Sequence, residues 1–162
     1  MNVKKLLRLL AEYKVKFIII GAWAFPAYGY IRNTIDIDIF FDPTKANVKR
    51  LAKALKEFGY DGIEDLTIEQ LLNKKTLFRQ YIMDTDIHPF VKGVNFDMVW
   101  KSKKEVEIEK IKVFVPSLNH LILMKKAAGR KKDIVDLEFL EEIRKQTKKR
   151  SSKPLWQQFL KR

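Results

Sequence analysis

The stretch Phe17–Asp42, FIIIGAWAFPAYGYIRNTIDIDIFFD, decides how the rest of the chain is read. Phe17-Ile18-Ile19-Ile20 is short, mostly β-branched and stopped by Gly21, which predicts a buried strand. Ala22 to Tyr28, bounded by Gly21 and Gly29, predicts a short helix behind that strand, strained by Pro26. Ile35 to Phe40 alternates apolar with acidic and predicts a second strand, ended by Asp42-Pro43. Residues two apart in a strand share a face, so Asp36 and Asp38 point together while Ile35, Ile37 and Ile39 point into the core. Asp is disfavoured in strands, and two in one short strand ask for a reason, such as a divalent cation held between them. An acidic outer face on a half-buried strand is the plainer explanation of two such residues taken alone.

Working outward, Val3, Leu6, Leu7 and Leu10 follow the helical period, and Thr44 caps a helix with Val48, Leu51, Ala52, Leu55 and Phe58 on one face up to Gly59. Thr67 and Gln70 fit a capping box, and Leu77 to His88 reads as one strand. Val106 and Ile108 pair across a turn with the strand Ile111 to Val115, and Ser117 caps a helix closed by Gly129. A last helix from about Lys131 to Lys145 turns Ile134, Leu137, Leu140 and Ile143 inward. Helices mixed with several short strands give one α/β (α+β) domain, a small mixed sheet flanked by helices.

Composition narrows the function classes. The 162 residues contain no cysteine, which excludes disulfides, thiol nucleophiles and Cys-based metal sites. The longest apolar run at the N-terminus, Phe17 to Ile20, is too short for a membrane span, and Lys14 and Lys16 interrupt any signal-peptide core. The expectation is a basic cytoplasmic protein. Of its 33 Lys and Arg residues, eight lie after Glu142, where there is no acid, leaving residues 1–142 with 25 basic against 20 acidic groups. The chain divides accordingly into a domain, residues 1–146, and a basic tail, residues 147–162. In the tail Leu155, Trp156, Phe159 and Leu160 make a short apolar face that would dock on the domain. Within the domain the basic residues concentrate at Lys125, Lys126, Arg130, Lys131 and Lys132, where they could meet phosphate.

Three features favour a site around Asp36 and Asp38. Gly21 ends the preceding strand where the chain can approach a ligand closely and a following helix can offer N–H groups to phosphate. Arg32 and Thr34, a cation and a hydroxyl, sit just ahead of the acids. Asp84 and Asp86 share a face of the later strand by period two. His88 and His120 are read as structural, as a lone histidine more often is. Trp23, Phe25 and Tyr28 are read as core, and Trp100 as a neighbour of Phe96.

On Gly21-Ala22, Asp36-Ile37-Asp38 and a later acid, the sequence resembles the nucleotidyltransferase-fold superfamily that contains DNA polymerase beta, poly(A) polymerases and small stand-alone transferases of bacteria and archaea. It is similar in particular to the subgroup with abortive-infection and toxin–antitoxin transferases, through the opening stretch, TDIHPFVKGVNFDMVW and VPSLNHLILMKKAAGRKKDIVDLEFL. The resemblance implies the nucleotidyltransferase fold, with Asp36, Asp38 and Asp86 as catalytic metal ligands for Mg²⁺ or Mn²⁺ and a nucleoside triphosphate as substrate. Asp86, with Asp84 as its competitor, is the implied third acid because it precedes a Gly-x-x-Phe element, here Gly93 and Phe96; Asp97 is implied to be a surface or helix-start residue. Gly21-Ala22 would be the phosphate-approach turn, with Ala22 lacking the usual hydroxyl. Lys125, Arg130, Lys132 and Asp133 match a triphosphate-binding stretch, and Arg32 and Thr34 join the nucleotide-binding set. The acceptor would be an RNA end, a protein or a small molecule. A catalytically degenerate module that binds nucleic acid or a cognate partner protein is the alternative, supported by the basic tail and Ala22.

Overall fold

The strand containing the two acids became the centre of the sheet because its apolar residues have partners on both sides. In the computed structural model, which describes residues 3–79 and 84–151, β1 (Phe17–Ile20) pairs antiparallel with β2 (Asp36–Phe41), and β2 pairs parallel with β4 (Asp84–His88). A short β3 (Thr76–Phe78) closes the edge antiparallel to β4, giving the order β1-β2-β4-β3. Ile37, Ile39, Phe40 and Phe41 are fully buried, and all four residues of β1 are buried. The buried β2 accordingly reads as a mostly apolar run, broken only by Asp36 and Asp38.

Helices cover the sheet. The amphipathic α1 (Val3–Glu12) buries five of its residues, and α2 (Lys45–Phe58), capped by Thr44 and ended at Gly59, packs beside it. Asn47 is a buried polar residue with its bonds made: it accepts from the Lys16 backbone N–H at 2.8 Å and donates to the carbonyls of Lys16 and Asp42. It thereby ties the start of α2 to the outer ends of β1 and β2, consistent with the rule that buried polar groups are paired. The chain continues through α3 (Ile68–Asn73), whose Thr67–Gln70 capping box is formed, and α4 (Phe96–Lys101), then through the hairpin β5 (Lys104–Ile108) and β6 (Ile111–Val115). It ends in α5 (Leu118–Ala128) and α6 (Lys131–Ser151), which pack on each other. Among the described residues no helix is long and apolar enough to cross a membrane.

Several local expectations are corrected. The segment Leu77 to His88 is two strands, β3 and β4, rather than one, with residues 80–83 outside the described part. Ile35 does not face the core: it is 81% exposed, one residue ahead of the point where β2 enters the sheet. The segment after β1 is a short helix as expected, of the 3-10 type over Gly21–Tyr28 and containing Pro26. The proline lacks an N–H and fixes φ, which disfavours a regular α-helix there. On α6, Ile134 is exposed, whereas Asp133, Asp136 and Leu140 are buried, so polar residues occupy much of the inward face. That helix also runs through Lys145 to Ser151, and the tail's apolar residues Leu155, Trp156, Phe159 and Leu160 lie outside the described part.

Candidate active site

The parallel register of β2 and β4 sets Asp36 opposite Asp84, Asp38 opposite Asp86 and Phe40 opposite His88. Asp38, Asp86 and His88 each offer a ligand atom, all within 4.8 Å of one another. His88 Nε2 lies 2.9 Å from Asp38 Oδ1. Asp36 belongs to the same wall, its Oδ1 accepting from Thr34 Oγ1 at 2.5 Å while its backbone carbonyl takes the Trp23 indole N–H. Carboxylate oxygens suit Mg²⁺ and Mn²⁺, so the acids present fit such an ion, and His88 adds one nitrogen donor beside them.

Gly21 is required by this arrangement. Its φ is +66°, and a Cβ built on it would overlap Asp38 Oδ2. Only glycine combines that backbone with so close an approach to a carboxylate. Ala22, its neighbour, is buried and lies outside the cavity wall.

A cavity of about 530 Å³ opens over these acids. Arg32, Thr34, Lys125 and Arg130 line it with Asp36, Asp38 and Asp86, while Phe90, Leu121 and Met124 form an apolar wall. The β2–β4 register therefore puts Asp86 in the cavity, and Asp84 is not among its lining residues. The side chain of Lys132 is outside the described part.

A second charged cluster borders the same cavity through Arg32, Lys125 and Arg130. Lys125, itself buried, donates to Asp133 at 2.6 Å and to Asp136 at 2.8 Å. Arg130 Nε donates to Asp133 at 2.6 Å, Arg32 Nε is 3.0 Å from Asp136, and the Tyr30 hydroxyl donates to the same Asp136 oxygen. Burial pushes the Asp133 carboxyl up, but the hydrogen bonds and charges of Arg130 and Lys125 outweigh it and hold the pKa below the ordinary value. Hydrogen bonding to Asp133 raises the Arg130 pKa in turn. The cations of the Lys125–Lys132 segment are therefore not all free for phosphate, since Lys125 is taken up by two buried acids.

Sequence reasoning missed four participants. His88 was set aside as structural, although Asp84, Asp86 and His88 alternate on one face of β4. Lys75 Nζ donates to Asp86 Oδ2 at 2.5 Å and Arg79 Nη1 to Oδ1 at 2.6 Å. Burial pushes the Asp86 carboxyl up, and these two cations more than offset it, leaving the pKa lowered. The signal for them was again period two: Leu77 pairs with Asp86 across β3 and β4, so the residues two before and two after it flank the acid. Asp136 was hidden as one polar residue among the many on α6. Lys75 and Arg79 thus compensate the charge of Asp86 within the protein itself.

A family model described as "Nucleotidyltransferase of unknown function (DUF6036)" matches residues 1–148. Among solved structures, the chain is similar to the lincosamide antibiotic adenylyltransferase LnuA in its lincomycin-bound form, with a TM-score of 0.59 at 18% identity, covering 88% of this chain and 96% of that one. It is also similar to a nucleotidyltransferase, TM1012, from Thermotoga maritima, with a TM-score of 0.54 at 18% identity over 91% of each chain. These likenesses show a shared fold. No curated protein sequence matches the chain.

Proposed function

The chain belongs to the DUF6036 family of nucleotidyltransferases, and from that premise we propose that it moves a nucleoside monophosphate from a nucleoside triphosphate to an acceptor hydroxyl, releasing pyrophosphate. The observation that carries this reading is that Asp36, Asp38 and Asp86 line one cavity together with Arg32 and Arg130, with ligand atoms of Asp38 and Asp86 within 4.8 Å of each other. Acids and anchored cations around one cavity are what an in-line phosphoryl displacement needs.

In this reading the acceptor oxygen attacks the α-phosphorus, the bond from that phosphorus to the bridging oxygen breaks, and the hydroxyl proton is lost to solvent. Asp36, Asp38 and Asp86 would hold Mg²⁺ or Mn²⁺, which when bound makes the acceptor hydroxyl more acidic and neutralises charge on the departing pyrophosphate. His88, 2.9 Å from Asp38, fixes that carboxylate's orientation. Gly21 lets the chain pass close to Asp38 and leaves its backbone open to a phosphate oxygen. Arg32 and Arg130 are each tethered by a buried acid, so they are positioned before substrate arrives, and preorganised charge of this kind is the largest catalytic contribution expected. Thr34 holds Asp36 through its hydroxyl. The acceptor is an RNA end, a protein side chain or a small molecule.

Incubating the full chain with each α-labelled nucleoside triphosphate, Mg²⁺ or Mn²⁺, and RNA, protein and small-molecule acceptors tests the proposal. Wild type should transfer label, and Asp36→Ala with Asp38→Ala should not. Equal inactivity of the two on every acceptor would overturn it and leave the non-catalytic nucleic-acid or partner-binding module.

A further inference from the structure

The cations around the cavity are tied to their acids in two different ways. Lys125, Arg130 and Arg32 share Asp133 and Asp136, two buried acids with no other task in the proposed reaction. Lys75 and Arg79 are paired instead with Asp86, an acid whose oxygens the same reaction assigns to a divalent ion. Each of its two oxygens already accepts from one of them. The Asp86 side chain is 5% exposed, against 37% for Lys75 and 47% for Arg79. The carboxylate is thus fixed by its surroundings, and the two cations have solvent to move into.

Both cations also line the cavity, beside the acids. A divalent ion and a polyphosphate arriving there can exchange partners with these groups, Asp84, 3.6 Å from the Arg79 guanidinium, being the one acid that gives up a cation without receiving the ion. The Asp86 carboxylate passes to the ion, and the ammonium and guanidinium pass to phosphate oxygens. Both groups suit phosphate, the lysine as a point charge and the arginine as a planar fork.

We propose that Lys75 and Arg79 are the polyphosphate-binding cations on the β3 side of the cavity and reach that ligand by leaving Asp86. The requirement for Asp86 rests on the nucleotidyl-transfer reading, whereas the test below measures binding alone. By linkage, ion and polyphosphate then favour each other, since each releases the partner the other needs.

The probes are Mn²⁺ without phosphate and inorganic tripolyphosphate with chelator, each titrated calorimetrically into the full chain. Lys75→Gln and Arg79→Gln should bind tripolyphosphate about tenfold more weakly, yet bind Mn²⁺ several-fold more tightly because a competitor for Asp86 is gone, roughly the range of ordinary site coupling. Asp86→Asn should bind tripolyphosphate more tightly than wild type, its cations having been released. Lys75→Arg keeps the charge and should keep the tripolyphosphate affinity, which separates loss of charge from loss of fold. Unchanged tripolyphosphate affinity in Lys75→Gln and Arg79→Gln would overturn the proposal. Weakening of both ligands alike would do so too, as the mark of a structural role. A chain with the opposed shifts that transfers no label would instead overturn the transfer reading and leave the polyphosphate subsite standing.

Discussion

The two charged walls of the cavity are built from the same residue types and behave as opposites. On the α5–α6 side, Lys125 sits buried between Asp133 and Asp136, with Arg130, Arg32 and Tyr30 completing the bonds. On the β2–β4 side, Asp36, Asp38, Asp84 and Asp86 lie on neighbouring strands with only Lys75 and Arg79 as cations in contact among the described residues, plus His88. The first cluster is balanced by cations on every acid, and the second is rich in carboxylates beside open space. A balanced buried cluster locks helices together, whereas an acid-rich ledge is the kind that recruits a ligand's charge. One wall thus adds stability while anchoring Arg32 and Arg130 at the cavity, and the other leaves carboxylates facing it.

Lys125→Met should break the first wall most severely. Methionine fills similar volume but leaves two buried carboxylates short of a partner, and removing one member of a buried ion pair costs about 3–5 kcal/mol. Urea unfolding should show that loss, and a loss below about 1 kcal/mol would mean the cluster is not the lock described. The same wall should be visible in acid. Because the folded pKa of Asp133 lies below its unfolded value, its contribution is full above the unfolded pKa and is lost as pH falls through the folded one. Stability of wild type and Asp133→Asn, measured by denaturant midpoints from neutral pH downward, should therefore differ at neutral pH and converge in acid. Parallel curves would contradict the pairing.

Asp38→Asn inverts the pattern on the other wall. It keeps the shape, removes one charge from an acid-rich ledge, and should leave stability unchanged or slightly raised, since like charges nearby repel. The rate of nucleotidyl transfer should fall on the order of 10²–10³-fold, the effect of losing one preorganised electrostatic group. A variant that lost stability and kept its rate would show that Asp38 belongs to the structural wall instead.

How far the two walls were legible follows from their periodicities. Strand alternation has period two, so Asp36 and Asp38 in β2 and Asp84, Asp86 and His88 in β4 announce a common face from sequence. The pairing partner is what alternation cannot give. That Asp86 pairs with Asp38 between β2 and β4, and that Lys75 and Arg79 flank it from the two ends of β3, depends on strand register. Helix α6 was harder still, because its inward face carries Asp133 and Asp136 where a hydrophobic stripe is sought. Burying an acid contradicts the rule by which helices are read until Lys125, on another helix, is known to meet it. Ile35 failed for the converse reason: alternation continued one residue beyond the sheet that gave it meaning.

Gly21→Ala makes the finest cut between the walls, because it touches the acid ledge without altering a charge. The backbone at Gly21 has φ of +66°, a conformation costing an L-residue about 1–2 kcal/mol. The added methyl also meets Asp38 Oδ2, which must turn away at the expense of the bond to His88, and that carboxylate is partly exposed. The side chain can therefore yield, and the total cost should stay near about 1–3 kcal/mol, below that of Lys125→Met. Calorimetric melting should report this modest loss, while transfer should fall further than the loss of folded protein explains, because the displaced group is an acid of the ledge. Gly29→Ala is the control: it shares the positive φ but has nothing within 4 Å of its added carbon, so it should show a similar strain with the rate retained. Equal rates for the two alanine variants would mean that Gly21 serves only the backbone, and that the close approach to Asp38 carries no chemistry.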